Sequence, residues 1–126
     1  MVGIVIVSHC EKLAQGVVEL AQMMAPDAPM AAAGGLVDGG FGTSFDKIFR
    51  AIDEVYTDDG VVVLMDMGSA VMTAEMVLEA MSDRKIRLVD CPVAEGAVTA
   101  AIGSATHETM EHIIEAAQFW EVYKKL

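Results

Sequence analysis

The chain has 126 residues, 54% of them hydrophobic, and carries 8 basic against 19 acidic side chains for a formal net charge of -11. That is one domain's worth of protein with enough apolar residues for a sizeable core, which argues against disorder. So acidic a surface repels phosphate backbones and anionic lipid, which argues against nucleic-acid or membrane-surface binding.

The apolar runs are short. The best, Val61 to Met65, stops at Asp66, far too soon to span a bilayer. The N-terminus lacks the basic start and small-residue cleavage site of a signal peptide. Two cysteines without metal-type spacing read as reduced thiols. A cytoplasmic location is therefore expected. No metal or cofactor is expected. Ten methionines read mainly as flexible core filling.

In chain order, Val2 to Val7 is apolar apart from Gly3 and rich in β-branched residues, the pattern of a strand buried on both faces. Leu13, Val17, Leu20 and Met24 then form a helical stripe. Pro29 to Ala33 reads as a second, weaker strand. Residues 34 to 44, GGLVDGGFGTS, hold five glycines in eleven residues and read as a loop. Phe45, Ile48, Phe49 and Ile52 mark a second helix, with Thr43 and Asp46 at capping-box spacing. Val61 to Asp66 is the clearest strand. Gly68 and Ser69 turn it into a helix faced by Ala70, Ala74, Val77 and Met81. Ile86 to Asp90 is a fourth strand. Two helical patterns follow: one carries Val98, Ala101, Ile102 and Ala105, the other Met110, Ile113, Ala117 and Trp120, starting from Thr106. This alternation predicts an α/β fold, a parallel sheet of about four strands with helices on both faces, occupying residues 1–126 as one domain. Such a sheet places its chemistry at the carboxyl ends of its strands, where the strand order reverses.

His9 follows the first strand directly. Ser8 and Glu11 fit a capping box, which would place His9 in the first turn of a helix, where free N–H groups and the helix dipole favour an anion such as a phosphoryl group. Asp66 emerges on the same edge of the sheet. A carboxylate accepting from one ring nitrogen fixes the tautomer and frees the other nitrogen to attack phosphorus. Gly68 and Ser69 at one helix start, and Thr43 and Ser44 at another, are candidates to cup phosphate oxygens. Each feature alone has a bland explanation in caps and turns; their convergence on one histidine carries more weight. The Gly-rich loop holds no lysine, so it does not read as an ATP site. With neither nucleotide clamp nor metal ligands apparent, the pattern favours a phosphoryl carrier over a complete kinase.

Other candidates are weaker. Cys10 neighbours His9 but points elsewhere, and Cys91 reads as a small buried residue. His107 and His112 read as solvated surface. Glu95 falls in a loop near the site, where its charge would oppose phosphate. Trp120 and Tyr123 read as core packing.

Four segments carry a family resemblance: GIVIVSHCEKLAQG at 3 to 16, GGLVDGGFGTSFDKI at 34 to 48, VVLMDMGSAVM at 62 to 72 and CPVAEGA at 91 to 97. Together they resemble the DhaM family, the phosphocarrier subunits of phosphotransferase-dependent dihydroxyacetone kinases. That family is similar in fold to the EIIA domains of mannose-type sugar transporters. The resemblance implies that His9 accepts a phosphoryl group from HPr and passes it to ADP on the DhaL subunit, with DhaK completing the system. It also implies a homodimer. The chain stops at Leu126, as expected of a form that borrows HPr and enzyme I from separate proteins. Without its partners it is expected to leave dihydroxyacetone untouched. The alternative is the EIIA domain of a mannose-family sugar transporter, with an EIIB histidine as recipient. The segment DMGSA at 66 to 70 favours the dihydroxyacetone form over the Gly-Gly-Ser-Pro type of the transporters. A regulatory module without transfer is a third possibility, and it predicts no phosphohistidine.

Overall fold

In the computed structural model, which describes residues 1–126, the four apolar runs form strands β1 (Gly3–Ser8), β2 (Met30–Gly34), β3 (Val61–Met65) and β4 (Ile86–Val89). They alternate with helices α1 (Glu11–Met24), α2 (Phe45–Val55), α3 (Gly68–Ala80) and α4 (Val93–Ala105). Helix α5 (Met110–Gln118) and a short 3₁₀ turn, Phe119–Glu121, end the chain. All pairings are parallel and the order is β2-β1-β3-β4. The order reverses between β1 and β3: the chain leaves β1 toward β2 and returns on the other side. No helix is long and apolar enough to cross a membrane.

Side chains of successive strand residues point to opposite faces, so a doubly covered sheet has two cores. Ile4, Ile6, Val62 and Leu64 pack on one face with residues of α1, α4 and α5. Val5, Val7, Val61 and Val63 pack on the other with residues of α2 and α3. The α3 face of Ala70, Ala74 and Val77, continued by Met81, is buried as its spacing predicts.

Several expectations are corrected. In α1 the buried face is Ala14, Val17 and Ala21, whereas Leu13, Leu20 and Met24 are 43–57% exposed. The α4 face is likewise Gly96, Ala97, Ala100, Ala101, Gly103 and Ser104, with Ile102 exposed. The buried faces of both helices are made mostly of small residues. Small residues let helices approach closely, but they barely register as a hydrophobic stripe. Met23, Met24, Met67, Met72 and Met76 are on the surface, so half of the ten methionines fill no core. Thr106 ends α4 and its hydroxyl bonds back to the Ile102 carbonyl; α5 starts instead behind Thr109, which caps His112 N–H. Trp120 is half-buried, its indole N–H donating to Thr99 Oγ1 at 2.7 Å, and it stacks edge-on with exposed Tyr123; neither belongs to a core.

The end of α4 supplies a stability prediction. His107 N–H donates to the Ser104 carbonyl and Glu108 N–H to the Gly103 carbonyl, a Schellman closure with His107 at the left-handed position, φ 60°. A residue with a Cβ is disfavoured there. His107→Gly is expected to raise stability by about 0.5–1 kcal/mol, seen as a small rise in Tm.

Candidate functional site

The site lies at the carboxyl ends of β1 and β3, the two central strands and the point of reversal. Register places Val7 beside Met65, so His9 and Asp66 leave the sheet side by side. His9 Nδ1 lies 3.1 Å from Asp66 Oδ1, and Ser69 Oγ lies 2.6 Å from His9 Nε2. A carboxylate can only accept, so in the neutral ring this geometry suits a proton on Nδ1, leaving Nε2 to accept from the Ser69 hydroxyl. The imidazole is 22% exposed and the Asp66 side chain 10%, so the carboxylate sits beneath the ring and the ring faces outward.

Asp66 is held at both oxygens. Met67 N–H donates to Oδ1 at 2.8 Å; His9 N–H and the Ser8 hydroxyl donate to Oδ2 at 3.1 and 2.9 Å. Burial pushes this carboxyl upward. The hydrogen bonds from His9 N–H, Ser8, the His9 ring and Met67 N–H together outweigh it and hold the group below its ordinary value. A depressed folded value means stabilisation that is complete above the unfolded value of about 3.9 and lost as pH falls through the folded one. The stability advantage of the wild type over Asp66→Asn is therefore expected to hold at neutral pH and to shrink on acidification below about pH 4. Thermal melts of the two proteins across that range check the sign.

The helix starts differ from their expected form. His9 does not lie in the first turn of α1: it precedes the N-cap, Cys10, which makes no side-chain cap bond. Ser8 is not that cap. Its hydroxyl accepts from Cys10 N–H at 3.0 Å and donates to Asp66. The start of α3, with Gly68 and Ser69 exposed, also lacks a side-chain cap at Met67, leaving its first amides for a ligand. For α2, Ser44 rather than Thr43 is the cap, accepting from Lys47 N–H at 3.2 Å. Thr43 pairs with Thr73 on α3 at 2.7 Å, which sequence reasoning missed. The Gly-rich loop reaches His9 through its backbone, Gly42 N–H donating to the His9 carbonyl at 2.9 Å. Of the four proposed phosphate-binding residues, Ser69 touches His9, Gly68 precedes Ser69 at the start of α3, and the Thr43 and Ser44 hydroxyls are engaged elsewhere.

Of the weaker candidates, Glu95, Cys91, His107 and His112 make no hydrogen bond to His9. Glu95 lies in the first turn of α4, not in a loop, and pairs with Lys125 at 2.6 Å. Cys91 is buried, and burial pushes its thiol up to about 12. His107 and His112 are exposed. A cleft of about 550 Å³ is lined by other residues, Thr99, Glu108, His112, Phe119 and Trp120 among them.

The open parallel sheet defines an α/β protein, and the histidine–carboxylate pair at its reversal point is its candidate site. Residues 3–114 match the EIIA-man family model, described as the PTS system fructose IIA component. The chain belongs to that family. It is 38% identical over 116 residues to the PTS-dependent dihydroxyacetone kinase phosphotransferase subunit DhaM of Lactococcus lactis, covering 90% of this chain and 93% of that protein. Similarity to the Escherichia coli phosphoryl donor subunit DhaM is also 38% over 121 residues, covering 90% of this chain but only 26% of that longer protein. Among solved structures, a protein of unknown function superposes with TM-score 0.84 at 25% identity over 100% of this chain and 99% of the other. The EIIA component from Streptococcus agalactiae superposes with TM-score 0.70 at 16% identity over 98% and 97%, a likeness of fold alone.

Proposed function

We propose that residues 1–126 act as one phosphocarrier domain in a phosphoenolpyruvate-dependent dihydroxyacetone kinase, with His9 as the residue that carries the phosphoryl group. The observation that carries this is the imidazole held between Asp66 at Nδ1 and Ser69 at Nε2. Nε2 attacks the phosphorus of phosphorylated HPr. The new N–P bond forms as the donor's N–P bond breaks and the donor imidazole leaves. Nδ1–H stays on Asp66, whose charge stabilises the ring as it gains positive character. The Ser69 hydroxyl turns from the ring nitrogen to a phosphoryl oxygen, beside the amides that open α3. In the second transfer ADP bound to DhaL attacks the phosphorus and the His9 ring leaves. DhaK with DhaL then delivers the group to dihydroxyacetone. The relatives named as DhaM support this recipient over a sugar transporter.

The test has two stages. Incubated with phosphoenolpyruvate, enzyme I and HPr, the protein is expected to gain one acid-labile phosphate. The labelled protein is then offered DhaL loaded with ADP and, separately, a mannose-type EIIB domain. Transfer to DhaL alone supports the proposal. Rapid loss of label to EIIB and none to DhaL would replace it with the transporter reading. The chain with ATP and dihydroxyacetone but no partners should make no dihydroxyacetone phosphate.

A further inference from the structure

We propose that Ser8 is a positioning residue for the transfer at His9: its hydroxyl fixes the rotation of the Asp66 carboxylate and, through it, the tautomer of the ring. This deepens the function just proposed and rests on His9 being the phosphoryl acceptor. Ser8 and Ser104 are the only polar side chains fully inside the protein, Ser8 at 1% exposure. A strand of sequence GIVIV needs no hydroxyl at its end for packing, and a buried hydroxyl is costly unless both its proton and its oxygen are used. Here both are used. Cys10 N–H can only donate, so Ser8 Oγ accepts from it. The Asp66 carboxylate can only accept, so the Ser8 proton points at Oδ2. One hydroxyl thus ties the turn that carries His9, on its Cys10 side, to the carboxylate that orients the ring.

The bond to Oδ2 matters because of what else reaches that oxygen. Apart from Ser8, Oδ2 receives only His9 N–H, a donor from the same turn as the ring. Ser8 belongs to the central strand β1, so it is the rigid reference among the two. Without it the carboxylate keeps its charge and its bonds from Met67 N–H and His9 N–H but loses its side-chain tie to β1, so its hold on the Nδ1 proton loosens.

The test compares 15N NMR spectra of His9 in its neutral form with rates of phosphoryl uptake from HPr. The wild type is expected to be predominantly Nδ1–H. Ser8→Ala is expected to shift the population toward Nε2–H and to slow uptake by roughly tenfold. Ser104→Ala removes the other buried hydroxyl, which bonds to the Val2 carbonyl far from His9. It is expected to lower stability but to leave tautomer and rate unchanged, which separates positioning from general loss of fold. A Ser8→Ala protein that folds with the wild-type tautomer and rate overturns the proposal. Should that variant not fold, the wild type still decides: a Ser8 hydroxyl proton that exchanges slowly, and whose shift changes in Asp66→Asn, supports it, and one indifferent to Asp66 overturns it. A wild type that takes up no phosphate would remove the proposed function, while the tautomer measurement would still judge Ser8.

Discussion

His9→Ala is expected to take up no phosphate from phosphorylated HPr, while folding as the wild type does. The side chain reaches outward from a turn and fills no core, so its removal leaves both hydrophobic clusters intact. No second histidine can replace it, because His107 and His112 are exposed residues of the α4–α5 region and neither meets a carboxylate as His9 meets Asp66. Full labelling of the variant, read as acid-labile phosphate by mass, would refute the assignment. Asp66→Asn tests the same centre more gently. The amide is the same size but carries no charge. The carboxylate's loss is expected to slow transfer roughly ten- to a hundredfold without abolishing it, since Nε2 remains. An unchanged rate would remove Asp66 from the mechanism, and phosphate found on Nδ1 would overturn the tautomer.

The sheet and the two residues at its reversal were legible in the sequence because their signals are strong. VVVLM and GIVIV read as strands buried on both faces, and residues directly after parallel strands must emerge on one edge. What stayed hidden involves small or ambiguous residues. Ala14 and Ala21 on α1 and Ala97, Ala100 and Ala101 on α4 form much of the buried faces of these two helices, yet a hydropathy stripe gives weight to Leu13, Leu20 and Ile102, which are exposed. A helix packed through alanines looks rotated when its largest residues are taken as its core. Capping departs from its spacing for a related reason. Ser8, Thr43 and Thr106 all have cap-like spacing, but each hydroxyl serves a different partner: Asp66 and Cys10, Thr73, and the carbonyls that close α4. Spacing locates a hydroxyl near a helix end. Which group it bonds depends on the neighbouring strand, and that is a tertiary fact.

Gly34→Ala is expected to damage transfer about as much as a substitution in the site itself, although Gly34 touches no reacting atom. Gly34 ends β2 opposite Ser8, directly under the turn into α1. A Cβ there would lie 2.6 Å from the Cys10 carbonyl oxygen, 2.7 Å from Ala14 Cβ and 2.8 Å from Glu11 Cα. These are backbone and short side-chain atoms that cannot swing aside, so the start of α1 or the end of β2 must move. The neighbouring Gly35 N–H donates to the Ser8 carbonyl at 3.0 Å, and Lys47 Nζ donates to the Gly34 carbonyl at 2.9 Å, so β2 is pinned on both sides. The strain is expected to cost about 1–3 kcal/mol of stability. A displacement of about 1 Å at the His9 turn is expected to slow phosphoryl uptake by roughly a hundredfold, because in-line attack depends steeply on position. Gly16→Ala supplies the contrast within the same helix. Nothing lies within 4 Å of its added Cβ, so it should stabilise α1 by up to about 1 kcal/mol and leave uptake unchanged. Equal rates for the Gly34 variant and the wild type would show that the His9 turn absorbs the methyl without moving, and would break the proposed link between the closeness of β2 and α1 and the geometry at His9.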